Sequence, residues 1–567
     1  MNSVSFSGNG VELPGETGLY SVVCNAAADA PDRIALCAGA DGEQLTCVQL
    51  DARTRALASE FIERGVQVGD RVAVLGRTSV EWALVDLAAL AIGAVVVPVY
   101  PTSSDTQIAH ILSDSGATYF AAETDNDAAR LTAAGATTVW GFTELAAWSN
   151  GVEGDELDAR TTTVRGDDHA MIVYTSGTTG PAKGCILTHR NMFASAANTV
   201  LHTGDMFGGD ERGQAVTVHA LPLAHVFGQT ILFACLIGGT RTHLLPAIPE
   251  LVPVLPRVRP TFLALVPYAL EKIRKAARGL LPADGEKAAV ERGIAILHGQ
   301  TEPGQPVGPV VDLLGGRLTH VISGGASLDT TTAGFFAAFG LHILNCYGMT
   351  ETATAGTVNE PATNRLETVG RPIPGTTVAI ADDGEVLIKG ANVTPGYWGA
   401  AADKTPIDRD GWLHTGDIGE LDTDGYLRIT GRRKEILVTS GGKNVAPTPL
   451  EDRLRLHPLV SNCIVLGDGR AYVCALLTLD ADRWAAWRQD TGAVADRDDP
   501  RLRHALQVAV DDANSLVSRA ESIREFRVVD ADFTVEAGLL TSSLKLRRTA
   551  IENTYLAEIN DMYAARV

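Results

Sequence analysis

Between residues 50 and 123 the chain alternates between two hydrophobic periods, and few folds accept that alternation. Residues 50–63 space their apolar side chains as a helix does. Residues 71–75 form a short apolar run after the turn Val68-Gly69-Asp70. A second helical segment at 81–92 leads into an apolar run at 94–99, and the pair repeats at 104–113 and 118–122. Short apolar strands separated by helices argue for a parallel, doubly wound sheet with both faces covered. The rhythm returns at 191–265 and 317–346, with strands expected at 216–221 and 261–265 and a helix at 330–339.

Past residue 365 the texture changes. Turns crowd together at Asp382-Asp383-Gly384, Asp408-Arg409-Asp410-Gly411 and Asp424-Gly425, separated by β-rich runs at 385–388 and 426–429. That spacing predicts a small β-barrel-like subdomain or a distorted sheet. Gly431-Arg432-Arg433-Lys434 opens a last unit, with a hairpin expected from 462–466 and 471–479 and a charged helical tail. The expected class is α/β. A large N-terminal domain, 1–431, holds two doubly wound subdomains and the β-rich one; a small α+β domain, 432–567, follows.

At 567 residues the chain is too long for one ordinary domain, and 45% hydrophobic residues supply ample core. The 68 acidic side chains outnumber 47 basic ones, a formal charge of −21. That balance disfavours nonspecific binding to nucleic acid or to anionic membranes. None of the eight cysteines forms a CxxC pair, which fits free thiols in a reducing compartment. The N-terminus has neither a basic nor an apolar region of signal-peptide type. Residues 82–99 are the most membrane-like, but Asp86, Gly93 and Pro98 interrupt them, and a buried helix followed by a strand explains them better. These features point to a cytoplasmic protein.

Several polar stretches follow strand-like runs. Thr175-Ser176-Gly177-Thr178-Thr179-Gly180-Pro181-Ala182-Lys183 comes after the apolar run 170–173. Hydroxyls, glycine N–H groups and one lysine suit anionic oxygens. The spacing is not that of the P-loop, because Lys183 lacks the preceding glycine and the following Ser or Thr. Tyr347-Gly348-Met349-Thr350-Glu351-Thr352 offers a stacking ring, a hydroxyl and a carboxylate suited to Mg²⁺ held between phosphates. Ser323-Gly324-Gly325-Ala326-Ser327 would let a flat ligand pack on backbone. Asp417 could accept both hydroxyls of a ribose, and Arg432 could reach phosphate. Each stretch alone is equally readable as a surface loop, a turn or a charged linker.

Taken together and in this order, these stretches resemble the adenylate-forming superfamily of acyl-CoA synthetases, luciferases and peptide-synthetase adenylation domains. The likeness spans nearly the whole chain, from Asp70-Arg71-Val72-Ala73 to Lys545, and includes Leu221-Pro222-Leu223-Ala224-His225 and Gly370-Arg371-Pro372. The C-terminal region looks most like long-chain fatty acyl-CoA synthetases. Thr541-Ser542-Ser543-Leu544-Lys545 stands where those enzymes usually carry Thr-Pro-Thr-Leu-Lys, and Leu539 where an acidic residue is common.

The resemblance implies a carboxylic acid, here a medium- to long-chain fatty acid, joined to AMP from ATP with Mg²⁺. A thiol then displaces AMP; the acceptor is coenzyme A or, alternatively, a carrier-protein phosphopantetheine. It implies that Thr175, Ser176, Gly177, Thr178, Thr179, Gly180 and Lys183 cradle the β- and γ-phosphates. Thr350 would contact the α-phosphate and Glu351 would hold the metal. Gly325, Ala326, Ser327 and Tyr347 would frame adenine, and Asp417 with Arg432 the ribose. Lys545 would bridge the carboxylate and the α-phosphate. The C-terminal domain would be mobile, turning about Lys434 to bring Gly441 and Gly442 to the thiol tunnel. His225 matches a gate near the carboxylate, and the acyl pocket would lie among Phe227, Leu232, Val266, residues 323–325 and Met349. Aryl acids remain an alternative substrate class, and a nucleotide-binding sensor a remote non-enzymatic one. No nucleic acid and at most peripheral membrane contact are expected.

Overall fold

A computed structural model describes every residue except 1–8, 151–155, 176–181, 212, 283, 327, 493, 495, 498, 536, 542–544 and 565–567. The chain divides into two units, the first ending at Arg428 and the second running from Ile429, with residues 416–419 grouped with the second.

The first unit contains the expected parallel sheet. Its seven strands run, from one edge to the other, Gly396–Tyr397, Lys183–Thr188, His169–Thr175, Val95–Val99, Arg71–Leu75, Tyr119–Ala122 and Val139–Gly141. The last five pair in parallel, and the first three alternate antiparallel. Val95–Val99 is buried throughout, as a strand covered on both faces must be. The helix beside it, Val80–Ala91, is apolar nearly all round and starts where the Ser79 hydroxyl accepts from the Trp82 N–H. The membrane-like stretch is therefore a core helix and a core strand. Among the described residues no helix is long and apolar enough to cross a membrane.

The helix expected at 50–63 is longer, Cys47–Glu63. Thr46 and Gln49 close a capping box that sets its start three residues earlier, a local signal that the apolar spacing alone does not report.

A second layer repeats the motif. Phe262–Leu265, His320–Ser323 and His342–Tyr347 run in parallel, continued antiparallel by Thr357–Val358 and Arg371–Pro372. A four-stranded sheet ordered Val216–His219, Arg241–Leu244, Ile34–Ala38 and Gln44–Thr46 adjoins it through the Thr261 N–H, which donates to the Val216 carbonyl at 2.8 Å. The β-rich stretch after residue 365 forms one four-stranded sheet of Thr376–Ile380, Glu385–Gly390, Leu413–Leu421 and Leu427–Arg432.

In the second unit, Val460–Leu466 and Val473–Leu479 make the expected antiparallel hairpin, and Ile523–Val528 joins its free side in parallel. Helices Pro447–Arg455 and Pro500–Asn514 bury Leu450, Leu454, Leu502 and Leu506 against that sheet.

Candidate active site

The strand His169–Thr175 is buried from Ala170 to Tyr174 and becomes half-exposed at Thr175. It pairs with Lys183–Thr188 so that Thr175 lies opposite Lys183. The ends of the polar stretch are therefore held side by side. Ser176, Gly177, Thr178, Thr179 and Gly180 themselves lie outside the described residues. The base of the stretch is braced: a His110 ring nitrogen lies 2.8 Å from the Ala182 carbonyl oxygen, and the Tyr174 hydroxyl donates to Asp114 at 2.8 Å.

Lys183 points its ammonium at an aromatic face, with Nζ 4.9 Å from the Tyr397 ring centroid. Tyr397 sits on the edge strand opposite Cys185. Its hydroxyl donates to Glu351 Oε1 at 2.5 Å. Burial, reinforced by the neighbouring Glu351 carboxylate, pushes the Tyr397 phenol well above its ordinary range, so the hydroxyl keeps its proton and remains a donor. The Glu351 carbonyl also accepts from the Thr394 N–H at 2.8 Å.

Glu351 reaches this position through a tight reversal. The strand His342–Tyr347 ends at Gly348, and a 3-10 turn, Thr350–Thr352, follows. Ala353 and Thr354 both adopt positive φ, 47° and 99°. The chain doubles back so closely that a Cβ on Gly348 would sit 1.7 Å from the Thr354 carbonyl oxygen. Thr230 holds the reversal by donating its hydroxyl to the Ala353 carbonyl at 2.9 Å. Tyr347 and Thr350 are half-buried on either side of the strand exit.

The 323–326 stretch follows the neighbouring strand, His320–Ser323. A Cβ on Gly324 would meet Cys346 Sγ at 2.5 Å and the Phe227 ring at 3.8 Å; one on Gly325, whose φ is +84°, would lie 3.7 Å from Val266. Gly324 thus lets Cys346 pack against the backbone, and Phe227 and Val266 lie beside the two glycines. Ala326 is exposed, and Ser327 lies outside the described residues. Leu232 is buried one turn beyond Phe227 in the helix Val226–Gly238, and Met349 is half-buried. His225 caps that helix: its Nδ1 accepts from the Phe227 N–H at 3.1 Å, and its ring meets Tyr100 edge-on at 6.2 Å.

The second unit carries the remaining candidates. Asp417 is buried, and Arg432 Nε donates to its Oδ1 at 2.9 Å. Lys434 lies in a 3-10 turn, Arg433–Glu435. Gly441 and Gly442 are exposed in the turn joining Leu437–Val438 to Asn444–Val445, and Gly442 takes φ 75°. Lys545 is exposed, with its backbone tied to Thr541 by N–H to Oγ1 at 3.0 Å and by carbonyl to N–H at 2.8 Å. Three residues on, Arg548 Nη2 reaches both oxygens of the buried Glu451 at 2.7 and 2.6 Å and its Nε lies 3.8 Å from Glu435.

Sequence reasoning overlooked Tyr397, the residue that ties Lys183 to Glu351. Its only trace is the aromatic pair Tyr397-Trp398 after Thr394-Pro395-Gly396. Among the described residues no group of three or more His, Cys, Asp or Glu could hold a metal. A single carboxylate at Glu351 still suits Mg²⁺, which keeps several waters and takes its other ligands from substrate phosphates.

Comparison with known proteins identifies the family. Residues 24–398 match the AMP-binding enzyme family, and residues 434–567 match the AMP-binding enzyme C-terminal domain. The long-chain-fatty-acid–CoA ligase FadD15 of Mycobacterium tuberculosis is 36% identical over 92% of this chain and 92% of its own. The human long-chain-fatty-acid–CoA ligase ACSBG1 is 27% identical over 92% of this chain and 81% of its own. Among solved structures, ATP-bound MatB from Rhodopseudomonas palustris superposes with a TM-score of 0.72 at 25% identity, covering 95% of this chain and 98% of that one. The o-succinylbenzoate–CoA synthetase MenE of Bacillus subtilis gives 0.73 at 22% identity over 96% and 98%, a likeness of fold. The chain belongs to the AMP-binding enzyme family.

Proposed function

We propose that this protein is an ATP-dependent fatty acid–CoA ligase acting on medium- to long-chain acids. It forms acyl-AMP and pyrophosphate, then acyl-CoA and AMP. The 36% identity to a long-chain-fatty-acid–CoA ligase, sustained over 92% of both chains, carries the reading. The pairing of a phosphate-type lysine and a metal-type carboxylate on one tyrosine supports it.

The chemical difficulty is that a carboxylate must attack a polyanion. Lys183 and the polar segment from Thr175 neutralise and orient the β- and γ-phosphates. Thr350 hydrogen-bonds the α-phosphate. Glu351 would hold Mg²⁺, which would supply positive charge to the phosphate oxygens. Gly325, Ala326, Ser327 and Tyr347 hold adenine, and Asp417 with Arg432 holds the ribose. Lys545 brings positive charge between the attacking carboxylate and the α-phosphate. Phe227, Leu232, Val266 and Met349 border the acyl pocket, with His225 at its mouth. We place the domain boundary at 431/432 and the hinge at Lys434; turning the C-terminal domain exchanges Lys545 for Gly441 and Gly442, whose missing side chains leave room for pantetheine. Eight free cysteines fit a cytoplasmic protein.

The test is ATP–pyrophosphate exchange with fatty, aryl and amino acids, repeated with coenzyme A. Fatty acids are expected to drive exchange and to yield acyl-CoA. Exchange without acyl-CoA would move the acceptor to a carrier-protein phosphopantetheine, and no exchange with any acid would overturn the reading. Lys545→Met is expected to slow exchange about 10²–10³-fold. Conversion of preformed acyl-AMP to acyl-CoA should change far less.

A further inference from the structure

Lys183 and Glu351 carry opposite charges and meet the same residue, yet no ion pair joins them. What stands between is Tyr397, with its ring toward the ammonium and its hydroxyl on the carboxylate. We propose that Tyr397 is a positioning residue that holds Glu351 for the metal and keeps Lys183 for the nucleotide, preventing the two from neutralising each other. The inference deepens the ligase reading and rests on it.

Three observations carry it. First, the hydroxyl takes only one oxygen of the carboxylate, Oε1 at 2.5 Å, and so fixes the orientation in which Oε2 is presented. A hydrogen bond to an ionised acceptor is among the stronger ones, and a ligand's supporting donor sets both its direction and its basicity. Second, the ring draws the lysine ammonium by its π face, which attracts the cation without donating a counter-charge. A carboxylate in that place would compete with phosphate for the lysine; a phenol ring does not. Third, Tyr397 is itself packed into the sheet. It is 9% exposed and belongs to the seven-stranded sheet, paired at Cys185 two residues from Lys183. The next residue, Trp398, donates its backbone N–H to the Gly184 carbonyl at 2.7 Å and its indole N–H to the Asp114 carbonyl at 3.1 Å. The element that positions Glu351 is thus the strand neighbour of the lysine itself.

Two variants separate the two contacts. Tyr397→Phe keeps the ring beneath Lys183 and removes the donor to Glu351. Tyr397→Leu removes both. The measurements are equilibrium binding of ATP without metal, then binding of Mn²⁺ in the presence of ATP by electron paramagnetic resonance. The Phe variant is expected to bind metal-free ATP as the parent does and to lose about 10–100-fold in Mn²⁺ affinity. The Leu variant is expected to weaken metal-free ATP as well. Unchanged Mn²⁺ binding in the Phe variant overturns the proposal, as does an equal loss of metal-free ATP binding in both variants. Circular dichroism and the thermal midpoint of each variant identify any that has failed to fold, and Tyr397→His then serves as a second polar replacement expected to retain part of the metal affinity. A parent protein that binds no ATP sinks the ligase reading itself, which keeps the two failures apart.

Discussion

Gly348 shows how much a single residue can settle. It has no positive φ, so its need for glycine comes from crowding rather than from backbone conformation. Its ideal Cβ would lie 1.7 Å from the Thr354 carbonyl oxygen, a backbone atom, and 2.8 Å from Thr352 Oγ1, a hydroxyl held by the Met349 N–H and carbonyl. Gly348→Ala must therefore push the 349–354 reversal outward and displace Glu351 from Tyr397. We expect a loss of about 1–3 kcal/mol in stability, typical of overpacking, read from denaturant midpoints. We also expect a raised requirement for Mg²⁺ in pyrophosphate exchange; an unchanged requirement would separate the turn from the metal site. Lys183, Glu351, Asp417 and Lys545 are legible in the sequence as candidates, because few side chains suit the jobs we propose for them and each stands in a small polar stretch. Tyr397 was not legible. The aromatic pair Tyr397-Trp398 is too faint a local mark, and the role we propose for it arises from the neighbours that the sheet brings to it.

Among the elements, the segment around Lys545 is anchored in an unusual way. Arg548, a few residues along, opens the helix Arg548–Thr554 and forms a two-pronged pair with Glu451 on the helix Pro447–Arg455. Glu451 is 2% exposed and also accepts from the Val465 N–H at 2.7 Å. Glu435, next to the proposed hinge Lys434, completes the cluster. Removing one partner of a buried pair leaves an uncompensated charge, so Arg548→Met is expected to destabilise the protein by about 3–5 kcal/mol. The double variant with Glu451→Gln should recover part of that loss, because the remaining amide is neutral. Additive losses in denaturant unfolding would show that the two side chains do not act as a pair. Helix and strand existence followed from the apolar periods, whereas element ends followed from caps such as Thr46 with Gln49, which act over three residues and leave a fainter trace.

For the molecule as a whole, buried neutral histidines tie stability to pH. His189 accepts the Leu19 N–H on Nδ1 at 3.0 Å, and burial pushes its pKa down to about 4; burial does the same to His219. Their folded values lie below the unfolded value of 6.5, so the unfolded chain binds more protons in between. The contribution of these two histidines to stability is therefore full above about pH 6.5 and is lost toward pH 4, by up to about 1.4 kcal/mol per pH unit for each. His189→Asn retains an acceptor but cannot titrate. Its thermal midpoint should fall less steeply between pH 7 and 5 than the parent's, and parallel slopes would remove His189 from the account.

The alternation of helical apolar spacing with short continuous apolar runs by itself argued that this chain builds parallel α/β layers, which cover a strand like Val95–Val99 on both faces. The order of its polar stretches likewise pointed to the family, because the set and its spacing are far more specific than any one stretch. Only the tertiary structure decided which of those side chains meet. Residues 183, 351 and 397 are far apart along the chain, and their contact depends on strand order and register, which are set by the packing of the entire sheet and by no local run of residues.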